Sequence, residues 1–306
     1  MSQPAQRADE LDQAGPIAGR PSRRVGMESV LTLAFIGPSL VYVAAFLILP
    51  TLMLLAEAFT GKHGMTLQYV AALGEGSTLV TFENSIILSA LAALVGLIAG
   101  GLTAYFVMRP GMPAGLRSVT TTFGAVAANF AGVPLAFAFI ATLGSLGIIT
   151  VWLKSIGINL YGMGFNLYSL YGLVIVYAYF QIPLMVIVIT PAIEALRREW
   201  REAAENLGAS AWDYWRHVGF PILLPSLLSA YILLFGNAFS AYATPYALTS
   251  GIIALVPIEI SNVLSGNVMV SPQTGAALAL GMIVVMVVIM GIYLVISRRV
   301  GRWVKR

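Results

Sequence analysis

Apolar and polar positions alternate on a long scale in this chain, with six extended apolar stretches separated by polar connections. Their approximate extents are 30–55, 84–108, 119–146, 167–190, 222–248 and 274–297. Each approaches or exceeds the ~20 residues that carry a helix across a bilayer. The pattern therefore predicts an all-α membrane protein with six transmembrane helices. Pro38, Pro134, Pro183 and Pro245 fall inside these stretches, which lipid-embedded helices accommodate when neighbours satisfy the freed carbonyls. Gly96, Gly100 and Gly101 put small residues along the second stretch, where they would let another helix approach closely.

Composition agrees with the pattern. Of 306 residues, 58% are hydrophobic and 10% charged, where a soluble domain carries about 25% charged residues. The net charge of +4 does not point to nucleic acid, because the basic residues flank apolar runs and so fit an anionic membrane surface. The chain has no cysteine, which excludes disulfides and thiolate sites. Its two histidines, His63 and His217, both lie in polar segments. No catalytic, metal or cofactor-binding residues are expected. The first apolar run is too long for a signal-peptide core and reads as a retained span.

Orientation follows from the basic residues. With the N-terminus inside, fifteen of the seventeen Lys and Arg fall in cytoplasmic segments, and only Lys62 and Lys154 fall on the other side. The positive-inside rule then predicts both termini in the cytoplasm. The expected organisation is an irregular polar tail over 1–29, a six-span domain over 30–297 and a basic tail over 298–306. The outer connections near 57–83, 147–166 and 249–273 are rich in Gly, Ser and Asn and would form interfacial helices or a docking rim.

One cytoplasmic connection, 191–221, breaks the apolar pattern and holds nine charged residues. Leu196, Trp200, Ala203, Ala204 and Leu207 fall on one helical face, with Arg197, Arg198, Arg201, Glu202 and Glu205 opposite. Glu194–Arg198, Arg198–Glu202 and Arg201–Glu205 have the i,i+4 spacing of supporting ion pairs. Gly208 stands where a left-handed C-cap belongs. Ser210 and Asp213 form a candidate capping box for a second short helix, expected to run from about 211 to 217 and to stop at Gly219 and Pro221. A solvated connector explains the charges alone, but not Trp200, Trp212 and Trp215. These aromatics suit either the membrane interface or a groove on a soluble partner.

The string Glu202-Ala203-Ala204, three residues, Gly208, nine residues, Val218-Gly219-Phe220-Pro221 resembles the EAA motif of binding-protein-dependent, MetI-like ABC-importer permeases. That motif reads EAA, three residues, Gly, nine residues, Ile-x-Leu-Pro; Val218 and Phe220 are conservative departures. The resemblance runs from the first span to the last and implies the type I importer permease fold, with the loop acting as a coupling helix docked in a cleft of an ATPase. Carried over by position, Glu202 would hold the docking helix, Ala203 would permit close approach and Gly208 would permit the turn. Ala204, Arg201 and Glu205 accompany them. The implied partners are an ABC ATPase dimer, a second permease (a paralogue or a second copy), an extracytoplasmic solute-binding protein and the lipid membrane. The strings Tyr179-Phe180-Gln181-Ile182-Pro183-Leu184 and Asn237-Ala238-Phe239-Ser240-Ala241-Tyr242-Ala243-Thr244 look most like the spermidine/putrescine-type subfamily.

No GxxxxGK[ST] phosphate loop occurs, so ATP hydrolysis is expected on a separate chain. The rival reading is an ATPase-independent channel or secondary carrier, but the apolar stretches lack the ionisable residues such carriers place in their spans. Candidate lining of a translocation path comes from Tyr177 and Gln181, spaced i,i+4, and from Asn237, Ser240 and Thr244, expected on one face of the fifth span. Hydrogen bonding between helices is the more ordinary explanation of the same residues.

Overall fold

The computed structural model describes residues 27–61, 64–109, 111–266 and 271–304; nearly all of the expected tail 1–29 lies outside them. The chain divides into two units, Met1–Met53 and Leu54–Arg306. Helix α1 comprises Met27–Val43, a π turn at Ala44–Ile48 and Leu49–Glu57, the last four residues belonging to the second unit.

In the second unit, α2 comprises Gly76–Val95, a π turn at Gly96–Gly100 and Gly101–Val107. Helices α3 (Ala114–Asn129), α4 (Val133–Leu143) and α5 (Ile148–Ser155) follow. Next come α6 (Leu170–Glu194) and the short charged α7 (Arg198–Asn206). Helix α8 comprises Ala211–Tyr214, a π turn at Trp215–Gly219 and Phe220–Phe239. The remaining helices are α9 (Ala243–Thr249), α10 (Val256–Leu264) and α11 (Pro272–Val304). Among the described residues, six helical stretches are long and apolar enough to cross a membrane.

Four of these follow the expected apolar runs with shifted ends. The third and fifth do not. The run expected at 119–146 is broken: α3 ends at Asn129, Gly132 takes φ 77°, and α4 starts with Pro134 in its first turn. A positive φ suits glycine alone at little steric cost, so the chain turns there. The candidate third span is Val133–Ser155, combining α4 and α5. The fifth run starts early and ends early. Pro221 was expected to end a short helix, yet helix continues through it, because the π turn lets the Phe220 amide reach the Trp215 carbonyl. Such a turn relieves the clash between a proline ring and the preceding turn. The same run, expected to reach 248, stops at Phe239, and α9 is a separate helix.

Helix α6 is the centre of the fold, with 56% of its span buried against 33% or less for any other. It is seated against α2 at glycines. A Cβ on Gly100 would lie 2.5 Å from the Ile182 carbonyl oxygen and 2.6 Å from Met185 Cβ, and one on Gly96 would lie 2.9 Å from Gln181 Cβ. The small residues thus bring one backbone onto another, where dispersion rather than water exclusion holds membrane helices together. Hydrogen bonds then tie α2 to the distal loops. Ser85 Oγ accepts from the Val256 amide at 2.9 Å, and Asn84 Nδ2 donates to the Ala254 carbonyl at 3.3 Å. The first satisfies an amide at the start of α10 that its own helix cannot, and the second a carbonyl of the loop just before it.

Gly100→Ala is expected to lower the thermal midpoint of the detergent-solubilised protein, at a cost of about 1–3 kcal/mol. Gly101→Ala should be neutral, since its Cβ would find no atom nearer than Met185 Cε at 3.7 Å. A melting series on the two variants checks the contrast.

Candidate functional site

The charged connection folds as an elbow. Helix α7 ends with the Gly208 amide donating to the Glu205 carbonyl and the Ala209 amide to the Ala204 carbonyl, both at 3.0 Å. These paired bonds, with Gly208 at φ 79°, form a Schellman cap. Two residues on, Ser210 Oγ accepts from the Asp213 amide at 3.2 Å while Asp213 Oδ2 accepts from the Ser210 amide at 3.1 Å. The expected capping box is therefore complete. With the end of one helix and the start of the next both capped, the elbow angle is set by local chemistry.

Arg201 Nε donates to Glu205 Oε1 at 2.9 Å, and that bond raises the guanidinium pKa further. The other two expected pairs do not form. Glu194 closes α6 and instead pairs with Arg117 on α3, because the chain leaves helical geometry between Glu194 and Arg198 and the i,i+4 relation is lost. Glu202 and Ala203 are exposed, Ala204 is half-buried and Gly208 is exposed. Trp200 is 38% exposed, Leu207 88% and Trp212 72%. The elbow therefore presents an uncovered surface of mixed aromatic, aliphatic and charged character. Its inner side is anchored by Trp215, whose ring meets Tyr105 of α2 edge-on with centroids 5.0 Å apart.

The polar residues of the spans separate into two groups. Tyr177 and Gln181 share a face of α6, as their spacing predicts, but that face is inside the subunit and both are 0% exposed. Gln181 Nε2 donates to the Leu234 carbonyl at 2.7 Å, and Asn237 Nδ2 donates to Gln181 Oε1 at 3.4 Å. Asn237 and Ser240 are exposed, Ser240 Oγ donating to the Gly236 carbonyl at 2.9 Å. Thr244 departs from the expectation of a shared face: it belongs to α9, after the break, and is buried. Its hydroxyl accepts from the Gly132 amide at 2.8 Å, joining the break between α8 and α9 to the break between α3 and α4. Sequence reasoning missed that junction. The glycine of the α3–α4 break was visible, but its partner lies 112 residues away.

Residues 134–302 match the family described as binding-protein-dependent transport system inner membrane component. The sulfate transport system permease protein CysT of Escherichia coli is 26% identical over 223 residues, covering 72% of this chain and 75% of that protein. A probable sulfate transport permease cysT of Chlorella vulgaris is 27% identical over 127 residues, covering 40% of this chain and 47% of the relative; that match spans about half the relative's length. Permeases named for thiamine transport in Escherichia coli and for spermidine/putrescine transport in Mycoplasma pneumoniae match over 38% of this chain, at 26% and 30% identity. They cover 21% and 38% of those proteins. A bacterial ABC transporter involved in importing the acidic polysaccharide alginate shares the fold, with TM-score 0.69 and 19% identity, covering 89% of this chain and 96% of that one.

Gly208→Val is expected to loosen the elbow, because a left-handed backbone costs a side-chain-bearing residue about 1–2 kcal/mol. Ser210→Ala removes a cap worth about 1 kcal/mol. Hydrogen–deuterium exchange should quicken over 198–214 in both variants, by about tenfold in the first, with α2 and α6 unchanged.

Proposed function

The chain belongs to the family of binding-protein-dependent transport system inner membrane components, and from that premise we propose how its elbow and broken helices serve ATP-driven import. It is a multi-pass inner-membrane permease subunit of an ABC importer and is not itself an enzyme. Its partners in this reading are an ABC ATPase dimer, a second permease, which is a paralogue or a second copy, and an extracytoplasmic binding protein that delivers the solute. Both termini and the elbow lie on the cytoplasmic side, a reading carried by the Lys and Arg distribution.

The observation that carries the mechanism is the elbow itself: an exposed α7 joined by a capped turn to α8, which runs unbroken into the membrane core. Glu202, Ala203, Ala204 and Gly208, with Arg201 and Glu205, form the face that seats in the ATPase. When ATP closes the ATPase dimer, the seated elbow moves. Because Trp215 sits against Tyr105 and Glu194 holds Arg117, the movement is shared by α8, α2, α6 and α3. A ligand shifts such an equilibrium only through contacts that differ between states, and the elbow supplies one.

The solute passes between this subunit and the second permease along the face that exposes Asn237 and Ser240. Gln181 and Tyr177 support that face from behind, and Thr244 holds the two broken helices together. Irregular backbone at membrane depth is tolerated where protein buries it or a cavity borders it, which favours the two breaks as the edge of the path. The solute divides two readings. The strings around Gln181 and Asn237 favour a polyamine-like cation, while the sulfate permease relative aligns over much more of the chain, which favours an oxyanion.

Affinity purification from native membranes tests the reading. Wild type should bring down a Walker-motif ATPase and a second six-span chain, and Gly208→Pro, which cannot adopt a positive φ, should lose the ATPase. Wild type purified without an ATPase, or transporting alone in liposomes, would favour the channel or carrier instead. In vesicles of the intact complex, ATP-dependent uptake of labelled sulfate against labelled spermidine separates the two solutes. Asn237→Ala should change the kinetics of whichever is carried.

A further inference from the structure

Two hollows on the second unit adjoin, sharing three lining residues. One is an apolar groove of about 580 Å³ between α2, α6 and α8, floored by residues such as Ile98, Leu102, Leu224 and Leu227. The other is a pocket of about 210 Å³ lined by Arg109, Arg197, Arg198 and Arg201. Tyr105, Ile193 and Trp215 line both, so the groove and the arginine pocket adjoin at these residues. Such a groove is in the size range of a ligand pocket, roughly 300–1,000 Å³.

The pocket's charge is poorly balanced from within. Its one acidic lining residue, Glu194, pairs with Arg117 outside it, and Arg201 pairs with Glu205. Arg109 lies over the Tyr105 ring at 5.6 Å and over the Phe106 ring at 5.8 Å. Among the described residues, Arg197 and Arg198 make no ion pair. They stand at the N-cap and first position of α7, where the helix dipole adds to their positive charge and favours an anion. An anion bound there would meet guanidinium groups suited to bidentate phosphate contacts.

We propose that the groove and pocket together hold an anionic phospholipid of the cytoplasmic leaflet, with an acyl chain along α2, α6 and α8 and its phosphate among Arg109, Arg197 and Arg198. A soluble anion would have no use for the groove, and an apolar helix of another subunit would leave the arginines without a counter-charge. The lipid satisfies both. Tyr105 and Trp215, at the joint, are the residue types that settle at the headgroup level. Because the phosphate sits at the root of the coupling elbow, the lipid links membrane composition to the position of α7. The inference rests on the cytoplasmic placement of the elbow given under the proposed function.

Native mass spectrometry of the transporter purified with its partners tests it, after addition of phosphatidylglycerol or of phosphatidylcholine with the same acyl chains. Wild type should retain phosphatidylglycerol about tenfold more strongly than phosphatidylcholine. Arg109→Gln/Arg197→Gln should lose that preference, and Gly101→Leu, which projects into the groove, should lose both lipids. Equal retention of the two lipids by wild type overturns the inference. So does undiminished preference in the arginine variant, or release of the lipid's advantage by millimolar inorganic phosphate with no effect of Gly101→Leu, which marks a soluble-anion site. Tight cross-linking of Leu224→Cys to the second permease marks a subunit interface and also overturns it. ATPase co-purification is scored in the same samples: wild type that holds its ATPase but retains the two lipids equally defeats this inference alone, whereas wild type that prefers phosphatidylglycerol but brings down no ATPase defeats the importer reading instead.

Discussion

Everything else in this protein depends on how closely α6 is held against α2 and α8 in a solvent that offers no hydrogen bonds. Gly96 and Gly100 remove the side chains that would keep α2 away from α6, and Gln181 then bridges to the Leu234 carbonyl of α8. In hydrocarbon, hydrophobic burial contributes little to helix association, so packing and polar ties must supply it. A buried glutamine without a partner would cost several kcal/mol. With its partners it ties α6 to α8, beside the glycine contact with α2, and orients Asn237.

That central contact is what the elbow would move in the proposed coupling. Helix α7 touches little of the core itself, but the Schellman cap at Gly208 and the capping box at Ser210 fix its angle to α8. The π turn at Trp215–Gly219 carries α8 past Pro221 without a break. Trp215 against Tyr105 and Glu194 with Arg117 then connect the elbow to α2 and connect α6 to α3. In the proposed coupling, force applied at α7 would reach the spans α8, α2 and α6, and through Glu194 the helix α3, while Trp200, Leu207 and Trp212 are exposed. The breaks at Gly132 and after Phe239 lie in the same packed unit, pinned to each other by Thr244.

Much of this was legible in the chain, and the reasons are local. Apolar length identifies spans because a bilayer has a fixed thickness. Gly208, Ser210 and Asp213 announced the elbow because caps use fixed residue types at fixed offsets. What escaped were features that depend on partners distant in sequence. Apolar runs cannot report a break when both sides remain apolar, so α3–α4 and α8–α9 read as continuous spans and Asn237, Ser240 and Thr244 read as one face. The expected Glu194–Arg198 pair failed because the helix ends at Glu194 and the i,i+4 relation is lost, and Glu194 pairs instead with Arg117, 77 residues upstream. The expected stop at Pro221 failed because a π turn absorbs a proline, and no residue pattern marks such a turn in advance.

The central claim is that α7 is the surface through which an ATPase drives the membrane core. The absence of native cysteine makes site-directed disulfide cross-linking in membrane vesicles the most direct measurement. A single cysteine at Ala203, paired with single cysteines along the ATPase surface, should cross-link efficiently, and the yield should change when non-hydrolysable ATP is added. A single cysteine at Gly251, in the loop between α9 and α10, should never cross-link to the ATPase. If Ala203→Cys stays unlinked and reacts freely with a bulky water-soluble maleimide in the intact complex, α7 is not the docking surface and the coupling account is wrong.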